Sequence, residues 1–132
     1  MLSVDQLWMK EANTWPESRL QEHVRSLFVA THWKYYHVWH AKNSPSGYPD
    51  VIAVKDGRII WAELKRQNKE PTEDQKDWLL ALAQIPRAEV YVWKPYDWLC
   101  GDIQAIIEDV NHVSSTRISP DTVFRGRKGK VK

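Results

Sequence analysis

One cysteine, Cys100, stands among 132 residues. A lone thiol can form neither an internal disulfide nor a thiolate zinc cluster, so the fold has to be held by its own core. No stretch approaches the ~20 uninterrupted apolar residues of a membrane span, and the first residues lack a signal-peptide layout. Charge of one sign is also scarce, since 19 basic against 17 acidic side chains leave a formal +2. No polybasic field therefore covers the whole molecule. A Walker loop, a Gly-x-Ser-x-Gly elbow and a dinucleotide fingerprint are all missing, which leaves a nucleotide cofactor and esterase chemistry without support.

What is abundant is aromatic: 8 Trp, 5 Tyr and 2 Phe. Tryptophan fills cores and also stacks on bases, so the number alone does not separate packing from nucleic-acid contact. The length fits one domain that buries roughly two-thirds of the surface its unfolded chain exposes. Positive charge collects late. From Arg117 onward come Arg125, Arg127, Lys128, Lys130 and Lys132 against the single acid Asp121. Residues 113–132 are expected to be a basic flexible tail that either tracks phosphates or only aids solubility.

Local patterns predict an order α-β-β-β-α-β-α. Thr14-Trp15-Pro16-Glu17 looks like a helix start with Thr14 as cap, followed by Leu20, Val24, Leu27 and Phe28 at helical spacing. A shorter helix is expected within residues 1–13. Tyr35 to His40 is dense in β-formers, and residues 43–49 form a concentrated loop signal. Asp50–Val54 and Arg58–Lys65 flank Asp56-Gly57, a tight-turn dipeptide, and predict a β-hairpin. Thr72 with Gln75 reads as a capping box, Val90–Trp93 as a fourth strand, and Asp97 as the cap of a last helix reaching Val110.

The hairpin carries the chemistry. Residues two apart on a strand share a face, so Ile59, Trp61, Glu63 and Lys65 point one way and Ile60, Ala62 and Leu64 the other. Both sets being apolar over most of their length suggests a central strand covered on each side. Asp50 lies 13 positions before Glu63, the separation that two short strands around a tight turn need to bring those ends together. Two neighbouring carboxylates repel, which raises one pKa and costs stability. Mg²⁺ or Mn²⁺ would relieve that repulsion, polarise a phosphate oxygen and acidify a coordinated water. Lys65, on the face of Glu63, is placed to stabilise charge developing on a phosphodiester. A structural salt bridge would explain Glu63 and Lys65 but would leave Asp50 without a role.

Pro49-Asp50 and Glu63-Leu64-Lys65 resemble the PD-(D/E)xK nuclease signature. The wider pattern is similar to the VRR-NUC family within it, through Glu17-Ser18-Arg19-Leu20-Gln21, Asn43-Ser44, Gly47, Gly57-Arg58, Thr72 with Gln75, and Val90 to Pro95. The resemblance runs from about residue 17 to residue 107 and implies a nuclease domain over residues 1–112. It implies an α/β, restriction-endonuclease-like core with a mixed central sheet flanked by helices. A metal would be held by Asp50, Glu63 and the backbone carbonyl of Leu64, with Glu17 assisting, Lys65 catalytic and Gln75 nearby. At about 100° per residue Glu17 lies about 60° from Leu20, whereas Glu22 falls on the outer face. Glu17 is equally explained as the reciprocal partner of a Thr14 cap.

Lys42, Asn43, Ser44, Arg66, Arg125, Arg127 and Lys128 are the candidate DNA contacts. The resemblance further implies DNA as substrate, with branched DNA or a Holliday junction favoured, a homodimer, and a cytoplasmic setting (the host cytoplasm for a viral chain). The rival expectation is a module with a nuclease fold that grips nucleic acid without cutting it. His37 and His40, three apart, are expected on opposite faces of one strand and hence not as a metal pair.

Overall fold

The computed structural model of the protein describes residues 1–40 and 42–124. The expected contacts Arg125, Arg127 and Lys128 lie outside the described residues. Nine elements follow one another: α1 (Val4–Ala12), α2 (Glu17–Ala30), β1 (Lys34–His37), β2 (Val51–Lys55), β3 (Arg58–Leu64), α3 (Glu73–Ala83), β4 (Ala88–Trp93), α4 (Pro95–Leu99) and α5 (Asp102–Glu108). The class is mixed α/β. Its sheet is open and four-stranded, in the order β1-β2-β3-β4. The first three strands run antiparallel, and β4 joins β3 in parallel.

Local chemistry accounts for most of these elements. At the β2–β3 turn Asp56 and Gly57 both take positive φ, 48° and 80°. That twist matches antiparallel strands, and an Asp-Gly dipeptide adopts it at little steric cost. Lys55 consequently pairs with Arg58, and the ladder runs on to Val51 opposite Ala62. A parallel fourth strand requires a crossover, which α3 supplies after its Thr72–Gln75 capping box. Ser3 and Gln6 form a second reciprocal box at the start of α1.

The central strand is covered on both faces, as its sequence suggested. Ile60, Ala62 and Leu64 pack with Leu20, Val24 and Phe28 of α2 and with Ile103 and Ile106 of α5. Ile59 and Trp61 pack with Leu79 and Leu82 of α3. Truncating one of these side chains, Leu79→Ala for example, costs about 2–5 kcal/mol in a core of this kind. Trp15, Trp33, Trp61 and Trp93 are all buried, so much of the aromatic excess is packing.

Several boundaries differ from expectation for identifiable reasons. Pro16, not Thr14, is the N-cap of α2, which starts at Glu17 with no side-chain cap, while the Thr14 hydroxyl donates to the carbonyl of Glu11 at the end of α1. β1 stops at His37, where its partner strand β2 runs out at Val51. The last helical pattern is broken by Gly101 at φ 87° into α4 and α5. Asp97 sits in the first turn of α4, accepting a hydrogen bond from Lys94 N–H, and Val110 lies exposed beyond α5. The stretch after residue 112 reaches back to the sheet. Ile118 donates its N–H to the carbonyl of Val90 at 2.7 Å and joins the core under α3.

Candidate active site

Three anchors set the hairpin end where Asp50 stands. Gly47, at φ 97°, lies so close to α3 that an added Cβ would sit 2.5 Å from the backbone carbon of Asp74. Only glycine tolerates both that backbone and that approach. Beside it the Ser46 hydroxyl bonds the Asp74 carboxylate. Tyr48 accepts a hydrogen bond at 2.8 Å from the indole of Trp61 and meets Trp78 edge-on. The Gly47-Tyr48-Pro49 turn is thereby fixed to both α3 and β3, and Asp50 follows at a determined height.

Asp50 is one step past the Val51–Ala62 pair, which puts it opposite Glu63. Its Oδ2 accepts the Leu64 N–H at 2.9 Å, tying the carboxylate to the end of β3. Its Oδ1 lies 3.4 Å from Nε2 of His40. Glu63 is only 1% exposed. One of its oxygens stands 3.5 Å from the Lys65 ammonium, a loose pair. The other, Oε1, is buried with no hydrogen-bond partner. Burial, reinforced by the charge on Asp50 and only partly opposed by Lys65, pushes the Glu63 carboxyl up to about 8.

Glu17 opens α2 with no side-chain cap in place, so the Thr14 capping-box role does not apply to it. Its carboxyl is also raised, first by partial burial and then by Asp50, against the charges of Lys65 and His37. It therefore faces the same cluster from the helix side. Glu22 is turned outward and paired with Arg25. Gln75 closes the α3 capping box, its Oε1 accepting the Thr72 N–H at 2.8 Å. Lys42, Asn43, Ser44 and Arg66 are exposed.

His40 is the residue that strand logic misplaced. Alternation governs only residues within the ladder. His40 lies three residues beyond its end, free to turn its ring to Asp50. His37 remains in β1, and its charge is felt by Glu17.

Among the described residues no three His, Cys, Asp or Glu side chains gather into a metal-ligating group. The Asp50 and Glu63 carboxylates, with Glu17 facing them from the helix side, are hard oxygen donors at this end of the sheet. Such a donor set suits Mg²⁺ or Mn²⁺, which prefer oxygen and keep several waters. The orphaned Oε1 of Glu63 fits a cation as the missing partner, because a buried acceptor without one costs on the order of 1–3 kcal/mol. Among the described residues no helix is long and apolar enough to cross a membrane. No family model matches the chain, and neither a curated protein nor a solved structure was found to match it.

Proposed function

We propose that the protein is a Mg²⁺- or Mn²⁺-dependent endonuclease that hydrolyses phosphodiester bonds in DNA, branched DNA above all. The observation that carries this reading is the buried oxygen of Glu63, unpartnered and directly across the hairpin from Asp50 beside a lysine. The finer architecture, a restriction-endonuclease-like core, belongs to the same proposal.

In this mechanism Asp50 and Glu63, with the carbonyl of Leu64, would hold the cation. Glu17 adds negative charge from the helix side. Bound there, Mg²⁺ or Mn²⁺ supplies the Lewis acidity that polarises a phosphate oxygen. Lys65, with a side chain only 15% exposed, presents its ammonium to the phosphate and stabilises the charge that grows as the bond breaks. The Leu64 N–H bonds the Asp50 carboxylate and so helps to orient it before substrate enters. Exposed Lys42 and Arg66 contact backbone phosphates, which position DNA without reading its bases. A twofold homodimer placing two such sites on opposed strands suits cleavage of a junction.

Incubation with supercoiled plasmid and a synthetic four-way junction, in Mn²⁺ or in EDTA, tests the reading. Wild type is expected to cut in Mn²⁺ alone, and Asp50→Ala and Glu63→Ala to be inactive while still folded. Equal nicking by wild type and Asp50→Ala would refute it. DNA binding without any cutting would favour the non-catalytic module instead.

A further inference from the structure

Trp39 is 78% exposed. Isolated exposed apolar residues are ordinary on a protein surface, and Val113 and Val123 here are more exposed still. Trp39 differs in what holds it. The residue before it, Val38, donates its N–H to the carbonyl of Asp50 at 2.7 Å. The residue after it, His40, brings its ring to 3.4 Å from the Asp50 carboxylate. The indole itself meets the His37 ring perpendicularly, with centroids 5.1 Å apart. The ring is thus tethered to Asp50 through both chain neighbours, and most of its surface is still left to solvent. Hydrophobic burial does not account for such a placement.

We propose that Trp39 is a stacking post for an unpaired nucleobase beside the phosphodiester that the Asp50–Glu63–Lys65 site would cleave. The inference rests on the nuclease reading and names the substrate feature that the same site selects. In an intact duplex both faces of every base are covered by neighbours, so a protein ring beside the backbone has nothing to stack on. An unpaired nucleotide at a fork, flap or junction exposes its face, and stacking it on an aromatic side chain contributes about 1–3 kcal/mol. Trp39 therefore favours DNA with unpaired nucleotides next to the cleavage point. No base-specific hydrogen bond is involved, so the preference is for structure and not for sequence.

The test uses the full chain with Ca²⁺ in place of Mg²⁺, and a forked DNA carrying 2-aminopurine as an unpaired base at the branch, against a matched duplex. Wild type is expected to bind the fork more tightly than the duplex and to quench the fluorophore. Trp39→Ala should lose about tenfold in fork affinity and most of the quenching, with duplex affinity within about twofold. Trp39→Phe should keep most of both. Undiminished fork affinity and quenching in Trp39→Ala would overturn the inference. So would a Trp39→Ala chain that changes only its oligomeric state in sedimentation, which would make the ring a protein contact. Metal-dependent plasmid nicking by wild type, lost in Asp50→Ala, is read separately. If nicking persists while the fork preference fails, this inference falls and the nuclease reading stands; if nicking itself is absent, that reading fails.

Discussion

Strand β3 has an acid–base pair near each end, and the two pairs are built differently. At its start Arg58 forks onto Glu89 of β4, with bonds of 2.8 and 2.7 Å, and also donates to the carbonyl of Ile106. Tyr91 adds a hydroxyl donor to the same carboxylate at 2.9 Å. Burial alone would raise Glu89, yet the hydrogen bonds from Arg58 and Tyr91 outweigh it and its carboxyl falls below the ordinary value. At the other end Glu63 has one lysine at 3.5 Å, an acid opposite, and an oxygen with no partner. Its carboxyl rises to about 8. The same sheet can thus satisfy a buried carboxylate fully, and at Glu63 it does not. Such a difference is expected when one pair serves stability and the other awaits a ligand.

Breaking each pair by removing its cation should separate them most clearly. Arg58→Ala leaves the partly buried Glu89 with only the Tyr91 hydroxyl and should cost about 2–3 kcal/mol of unfolding free energy in a urea titration. Lys65→Ala should cost less than about 1 kcal/mol at pH 7, because a carboxyl with a pKa near 8 is already mostly protonated in the metal-free protein. A comparable loss in both variants would erase the distinction. In activity the order reverses. Lys65→Ala should lower the single-turnover cleavage rate by two to three orders of magnitude, about 3–4 kcal/mol of transition-state stabilisation. A wild-type rate in that variant would remove Lys65 from the chemistry.

A smaller effect appears in pH dependence. Glu63 has a higher pKa folded than unfolded, so the folded state binds more protons between about 4.5 and about 8. The contribution of Glu63 to the stability of the metal-free protein should therefore be full below that window and be lost as pH rises through it, by at most a few kcal/mol. Glu63→Gln removes this titrating group and should make the decline in thermal denaturation shallower, leaving the part that belongs to Asp97, raised to about 6 by burial. A wild-type decline that persists unchanged in Glu63→Gln would assign it to another group.

The legible parts of the molecule were those written in neighbouring residues. Asp56-Gly57 fixed its own turn, the turn fixed the register, and the register placed Asp50 opposite Glu63 across 13 positions. The Thr72–Gln75 box was readable for the same reason, although it left Gln75 holding a cap. Contacts between distant residues were not readable. Nothing in residues 113–124 by themselves indicated that Ile118 would pack under α3, or that Gly101 would divide an otherwise continuous helical pattern. His40 was misjudged because the ladder's end depends on where the partner strand stops, which is a property of two segments at once. Glu17 had two competing explanations in sequence, and the start of α2 at Glu17 behind Pro16, with no side-chain cap, removed one of them.

Manganese binding to the folded chain, followed by the loss of the free-ion paramagnetic resonance signal, addresses the contrast between Glu63 and Glu89 most directly. Wild type should take up Mn²⁺, and Glu63→Gln and Asp50→Ala should each weaken binding by ~tenfold or more while their circular dichroism stays native. A wild-type chain that binds no Mn²⁺, or a Glu63→Gln chain that binds it equally well, would contradict the account.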